Sequence, residues 1–424
     1  MTRMMKDSGV EWIGEIPCSW ELRRLKDFFD FEKGKNAAIY TQEYIAENVG
    51  DYPVYSGQTE NNGIMGKINQ YDYDVDACLF TTTVGAKVMT SKILKGKFSL
   101  SQNCLIMKQK KECSINFYYY ALMPLFEYTK SLIPSYMQPS LRIEDLKKFA
   151  FYAPDLQEQQ KIAAFLDDKC GAIDDIITKT EQSIEEYKKL KQSVITKAVT
   201  KGIRPNRPMQ DSNIEWIGEI PTDWEIKRFR YIADKFLKGS GITKDDVKED
   251  GNIKCVRYGE IYSKYNYTFN DCLSCTNVEE ISAPQYFSYG DLLFAGTGEL
   301  IEEIGKSIVY LGNDKCLAGG DIIVVKHRHN PAFLNYMLNS DVAIYQKSRN
   351  KIKLKVVHIS AAEIKNIIVP LPPIDEQKEI ADYLDEKCAE IDTLIEKKQQ
   401  FLAEMANYKK SLIYEYVTGK KEVA

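Results

Sequence analysis

The stretch Asp7-Ser8-Gly9-Val10-Glu11-Trp12-Ile13-Gly14-Glu15-Ile16-Pro17 returns almost letter for letter as Asp211-Ser212-Asn213-Ile214-Glu215-Trp216-Ile217-Gly218-Glu219-Ile220-Pro221. A chain that writes such a segment twice is built from two copies of one module. A second pair gives the order: Glu158-Gln159-Gln160-Lys161-Ile162-Ala163 and Phe165-Leu166-Asp167-Asp168-Lys169-Cys170 recur as Glu376-Gln377-Lys378-Glu379-Ile380-Ala381 and Tyr383-Leu384-Asp385-Glu386-Lys387-Cys388. The order is A, B, A, B, which predicts a two-fold partner or target. Trp12 and Trp216 stand 204 residues apart and Glu158 and Glu376 stand 218 apart, so the second intervening stretch is longer by 14. Between Glu21 and Ala153, and between Glu225 and Leu371, little letter-level similarity remains. The copies share a frame and differ in what it carries.

The B segments predict long helices. From Gln157 to about Lys201 there is no proline and one glycine, with Ile162, Leu166, Ile173, Ile176, Tyr187, Leu190 and Val194 mostly at steps of three and four. From about Glu376 to Thr418, Ile380, Leu384, Ile391, Leu394, Leu402, Met405, Tyr408 and Leu412 repeat the spacing. Prolines stand before each (Pro154; Pro370, Pro372, Pro373) and a glycine near each end (Gly202; Gly419). At 1.5 Å per residue such helices are roughly 65 Å long, so pairing as a coiled coil is expected. Lys169 and Lys387 interrupt the seam and are expected to snorkel at its edge. Lys201-Gly202-Ile203-Arg204-Pro205-Asn206-Arg207-Pro208 reads as a linker back to the second A segment.

The inserts read as α+β. Strand-like runs are Ala77–Phe80, Ala86–Met89 and Cys104–Met107 in the first, and Ile253–Tyr258, Gly290–Ala295, Lys306–Tyr310 and Asp321–Val325 in the second. Each then has a helix, Asn116–Leu125 or Ala332–Leu338, before a polar or basic loop. At 424 residues, with 44% apolar and 28% charged residues, the chain suits two folded domains. No window carries the ~20 apolar residues of a membrane span. The start at Met1 runs into the A segment without an apolar signal core, so a cytoplasmic protein with reduced cysteines is expected.

The net charge of -4 argues against a nucleic-acid partner only as an average. Pro373–Ala424 holds 12 acidic against 8 basic residues, whereas Glu225–Leu371 holds 20 basic against 18 acidic. Lys347, Arg349, Lys351, Lys353 and Lys355 place a cation at every second position, which in an extended segment would put all five on one face able to track a phosphate backbone. Lys130, Ser131, Tyr136, Gln138, Ser140 and Arg142 stand at the corresponding place in the first insert, and Lys87, Lys92, Lys95 and Lys97 form a further patch. Enzymatic motifs are weaker. Phe294-Ala295-Gly296-Thr297-Gly298 matches an S-adenosylmethionine loop, but the amine-binding Pro-Pro-aromatic motif is missing, and a tight turn explains the glycines. Cys272-Leu273-Ser274-Cys275 has zinc spacing without a second pair, and there is no phosphate-binding loop. The four tryptophans, Trp12, Trp20, Trp216 and Trp224, all lie in the A segments and are expected to pack.

Trp-Ile-Gly-Glu-Ile-Pro with a second Trp, a variable insert, and Glu-Gln-x-x-Ile-Ala at the start of a long helix, all occurring twice, resembles the specificity subunit of type I restriction-modification systems over the whole chain. The resemblance implies an α+β fold with an internal pseudo-two-fold: two globular target-recognition domains (residues 1–153 and 204–371) separated by two long antiparallel helices (154–203 and 372–424) forming a coiled coil. Each domain is then expected to read one half of a bipartite, asymmetric site on double-stranded DNA. The helices would set the spacer and dock two modification (methyltransferase) subunits, with restriction/translocase subunits in the full complex. Such a chain is non-catalytic and carries no cofactor, with S-adenosylmethionine, ATP and Mg expected on the partners. DNA contacts are expected from Lys87, Lys92, Lys97, Lys130, Tyr136, Lys347, Arg349, Lys351, Lys353 and Lys355, and base reading from Gln102, Asn103, Gln138, Arg142, Arg257 and Tyr258. The alternatives are a stand-alone S-adenosylmethionine-dependent DNA methyltransferase using the Phe294 loop, and a coiled-coil scaffold that binds no DNA.

Overall fold

The computed structural model describes residues 3–58, 60–85, 87–349, 351–352 and 356–423. It divides into two compact units, Met1–Glu181 with Gln399–Ala424, and Gln182–Lys398. Both division points fall inside the long helices, Leu156–Lys201 and Ile374–Val417, which the apolar spacing predicted to within two residues at either end. Each helix ends at a glycine with positive φ, Gly202 (72°) and Gly419 (71°), the left-handed C-terminal stop that side chains resist. Both stops are also tight: a Cβ on Gly419 would lie 2.5 Å from Pro17 Cδ, and one on Gly202 3.3 Å from the Trp224 ring.

Within each unit the segments of the two helices run antiparallel. In the first unit Ile162, Leu166, Cys170 and Ile173 share a core with Leu412, Ile413 and Val417. Lys409 reaches Asp174 at 2.6 Å. In the second, Ile195, Ala198 and Val199 pack with Ile380, Ala381 and Leu384. Lys191 there meets Asp392 at 2.7 Å. Lys169 and Lys387 lie at the surface, paired with Asp168 (3.1 Å) and Glu390 (2.8 Å). They skirt the seam, as their flexible stems allow.

The repeated letters do repeated work at the base of each insert. Met5–Asp7 pairs with Glu15–Pro17, and Met209–Asp211 with Glu219–Pro221, in the same register. Glu21–Arg24 then pairs with Ala150–Ala153, and Glu225–Arg228 with Ile368–Leu371, so each insert is clamped where it leaves and rejoins the frame. Gln159 Oε1 accepts from the Ser114 N–H (3.1 Å) while its Nε2 donates to Pro154 O (2.9 Å). Gln377 does the same with Asn330 N–H (3.1 Å) and Pro372 O (2.9 Å). The buried amides thereby satisfy a helix N-terminus and a proline carbonyl at once. Trp224 Nε1 donates to Glu376 Oε2 at 3.1 Å, and Arg207 pairs with the same carboxylate. Trp12 stacks on Tyr128 (5.3 Å) and Trp216 packs on Tyr345 (5.6 Å), so the tryptophans pack as expected.

The first insert holds a six-stranded sheet in the order Phe29–Lys33, Cys104–Gln109, Tyr73–Thr82, Ser91–Leu100, Val49–Tyr55, Ile64–Ile68. The second splits the same idea into two sheets: Ala233–Lys238, Ile322–His327, Leu292–Ala295, Ser307–Tyr310, Thr268–Phe269, and Ser274–Thr276, Ile253–Val256, Cys316–Ala318, Tyr286–Phe287. Most expected strands are present, but the run expected over Ala86–Met89 is not one. Lys87–Met89 forms a turn with Met89 at φ 59°, and Ala86 lies outside the described residues. The first insert's helix is longer than expected, Ile115–Ser131, started by the Ser114 cap. The basic row also begins differently from expectation: Lys347 lies in the helix Asp341–Ser348, which takes it off an extended face.

Candidate nucleic-acid interface

In both units one surface is built by the same main-chain junction. The strands Phe29–Lys33 and Ala233–Lys238 each end in Phe-x-Lys-Gly, Phe31–Gly34 and Phe236–Gly239. No side chain fits at either glycine, because a Cβ would stand 2.4 Å from Leu100 O at Gly34 and 2.0 Å from Gly319 O at Gly239. Beside them, Asn103 and Asp321 take φ of 64° and 58°, a conformation that short polar side chains tolerate. Thr83 N–H donates to Asn103 O (2.8 Å) and Gly296 N–H to Asp321 O (2.7 Å). Leu141 N–H then donates to Thr83 O (2.8 Å), and Ile359 N–H to Gly296 O (2.9 Å). Three loops per unit therefore meet in one arrangement, and the letter-poor similarity of the inserts hides it. Only the Phe-x-Lys-Gly pair signals it in the sequence.

What the junction displays differs. In the first unit Gln102 and Asn103 are exposed on the turn between Ser91–Leu100 and Cys104–Gln109, and the Leu132–Arg142 loop carries exposed Gln138, Arg142 and Tyr136, the last 86% accessible. Lys87 is exposed on its turn, and Lys130 stands half-buried nearby, its pKa lowered first by burial and then by repulsion from Lys87 and Lys410. A cleft of about 610 Å³ there is lined by Lys26, Lys33, Lys110, Arg142 and Lys147 against Asp30 and Glu144. Lys92 donates to Asn62 O, and burial lowers its pKa. Lys97 lies over the Tyr71 ring at 4.7 Å.

The second unit places a cleft of about 930 Å³ beside the junction, with Lys238, Lys244, Arg257 and Lys264 facing Glu260 and Asp321. Tyr258 lines it and is exposed. Both clefts carry a cationic excess that the chain's average charge conceals.

The row of five cations needs correction. Lys347 is 3% exposed and buried within the unit. Its Nζ donates to Gly305 O (2.9 Å) and Leu338 O (2.8 Å), and burial lowers its pKa to about 7. It is a structural amine and does not face a phosphate. Arg349 lies 5.4 Å over the Trp216 ring. Lys351 donates to His358 O at 2.6 Å and pairs with Glu363. Lys353 and Lys355 lie outside the described residues.

The enzymatic motifs have structural explanations. Gly296 and Gly298 sit where a Cβ would meet Asp321 O (2.9 Å) and Tyr262 Oη (2.8 Å), and Thr297–Gly298 pairs with Val357–His358 as a strand. The glycines are thus explained by close packing at this strand pairing. Among the described residues no group of three or more His, Cys, Asp or Glu can hold a metal ion, Cys272 and Cys275 included.

The family profile described as "Type I restriction modification DNA specificity domain" matches residues 17–186 and 221–403. The type I restriction enzyme MjaVIII specificity subunit of Methanocaldococcus jannaschii is 26% identical over 96% of this chain and 94% of its own length. The putative MjaX specificity subunit of the same organism is 25% identical over 97% and 96%. The putative type I specificity subunit S.MpnORF507P of Mycoplasma pneumoniae is 36% identical over 34% of this chain and 38% of its own. A solved structure described as "Structural basis underlying complex assembly and conformational transition of the type I R-M system" has the same fold, with a TM-score of 0.67, 14% identity, and coverage of 96% of this chain and 99% of that one.

Proposed function

The chain belongs to the type I restriction-modification DNA specificity family, and from that premise we propose that its two units each read one half of an asymmetric, bipartite duplex sequence through the three-loop junction. As a specificity subunit it is the DNA-recognising, non-catalytic component of such a system. One observation carries the assignment of the surface: the same backbone junction occurs in both units with different side chains on it. Equal backbones give both halves the same way of docking, and unequal side chains give them different letters to read.

Lys33, Lys26, Lys110 and Lys147 in the first unit, with Lys238 and Lys244 in the second, supply phosphate contacts beside Lys87 and Arg349. Gln102, Asn103, Tyr136, Gln138 and Arg142 face one half-site, and Arg257 and Tyr258 the other. The partners are two modification subunits that bring S-adenosylmethionine, joined by restriction/translocase subunits that bring ATP and Mg, in the cytoplasm. The two continuous helices hold the spacer between half-sites constant.

The test is methylome sequencing of a host that carries this chain with its modification subunit. A bipartite motif with two dissimilar halves and a fixed spacer is expected. An uninterrupted motif, or two identical halves, refutes the proposal.

A further inference from the structure

The strand Ile253–Val256 runs parallel to Cys316–Ala318, and Gly319 N–H donates to Val256 O at 2.7 Å. In the first unit Val49–Tyr55 runs parallel to Ser91–Leu100, and Ser101 N–H donates to Tyr55 O at 2.8 Å. Arg257 and Ser56, each the next residue, occupy one topological position in the two units. The exchange of a hydroxyl for a guanidinium there is a change of chemistry at a fixed place.

Arg257 is held, not loose. Its backbone N–H donates to Glu260 Oε2 (2.9 Å) and its Nη2 to Glu260 Oε1 (3.3 Å). Glu260 is 2% exposed and also accepts from Ser274 Oγ and from Lys264 Nζ at 2.9 Å. Burial alone would raise the Glu260 pKa. The hydrogen bonds from Ser274, the Arg257 N–H and Lys264 overcome that and hold it below the usual value. A charged, pinned carboxylate thus fixes one edge of a guanidinium beside the 930 Å³ cleft. Nη1 makes no hydrogen bond among the described residues, and Nη2 retains a second hydrogen.

Resting on the half-site reading above, we propose that Arg257 is a specificity-determining residue that reads a guanine in the second unit's half-site, and that Glu260 is its positioning residue. Two terminal N–H groups in one plane match the paired acceptors O6 and N7 that only guanine presents in the major groove. Phosphate is the weaker partner for this group. Glu260, shared with Lys264, offsets part of the Arg257 charge, which costs an anion more than it costs a neutral base edge, whereas Lys238 and Lys244 lack such a carboxylate partner among the described residues.

The experiment uses the chain assembled with its modification subunits, bound to duplexes carrying its mapped site. In one arm each guanine of the second unit's half-site is replaced in turn by 7-deazaguanine, which removes the N7 acceptor and leaves the protein unaltered. One such replacement is expected to weaken wild-type binding by about tenfold to a hundredfold, and R257Q to bind both duplexes equally. In the other arm, methylome sequencing of E260Q is expected to show relaxation at that same base with the other half-site and spacer unchanged. A merely structural Glu260 would lower methylation at all sites alike, which refutes its role. Full tolerance of 7-deazaguanine at every position, or a half-site without guanine, overturns the assignment. So does an R257Q defect that is uniform across sequences with a shallower salt dependence, since that marks a phosphate contact. A wild-type methylome without any bipartite motif instead overturns the half-site reading itself, and this assignment with it.

Discussion

Lys347→Met should remove a pH dependence from the stability of the second unit. In the folded chain burial lowers the Lys347 pKa from 10.5 to about 7. Between those values the folded amine has lost a proton that the unfolded one keeps, so the unfolded state binds more protons and stability rises with pH. At 1.36 kcal/mol per unit of differential protonation, the rise integrates to about 1.6 kcal/mol between pH 7.0 and 8.5. That is a shift of roughly 3–6 °C in Tm for a unit of this size. Methionine has a comparable length and no charge to gain, so the variant loses this rise while giving up the hydrogen bonds to Gly305 O and Leu338 O. The assay is urea denaturation of both proteins at pH 7.0 and 8.5, following tryptophan fluorescence. Other groups cancel in the comparison. The thiols, of which Cys255 is raised to about 12, oppose the rise equally in both proteins. Equal pH increments in the two proteins would refute the reasoning, because Lys347 would then be charged in the folded state.

Glu376→Gln should destabilise the second unit by about 3 kcal/mol in the same assay, since it leaves the half-buried Arg207 without one carboxylate partner; a loss under 0.5 kcal/mol would show that the pair is idle. Lys238→Ala and Lys33→Ala should each reduce the slope of log affinity against log salt by about 0.9 without changing the methylated motif, and a changed motif counts against backbone contact. Deleting seven residues from each long helix removes about 10 Å of rise, which should shorten the recognised spacer by about three base pairs; an unchanged spacer in the methylome refutes the ruler role.

The frame was readable because it is written twice and because helices announce themselves by period and punctuation. Pro154 and Pro372 at the entries, and Gly202 and Gly419 at the exits, stand within two residues of the observed ends. The junction was not readable in the same way. Its bonds run between main-chain atoms, which any residue supplies, so Thr83 and Gly296 fill one role without sharing a letter. The cation row misled for a related reason. A shared face holds only if the segment is extended, whereas Lys347 closes the helix Asp341–Ser348, and its burial depends on Gly305, 42 residues away. Charge spacing reports a face only after the backbone period is known.

The two readers also differ in how freely they can change. Gln102, Tyr136 and Gln138 are exposed, so substitutions there should move stability by only about 0.5 kcal/mol or less. Arg257 is tied to the buried Glu260, and through it to Ser274 and Lys264. Replacing the arginine leaves the carboxylate with fewer donors. Replacing the carboxylate strands a buried hydroxyl at a cost of about 1–3 kcal/mol. If these side chains read the two half-sites as proposed, a new letter in the second requires coordinated change at several positions, whereas the first can drift one side chain at a time. The shared junction would then support one half-site that is easy to rewrite and one that folding itself protects.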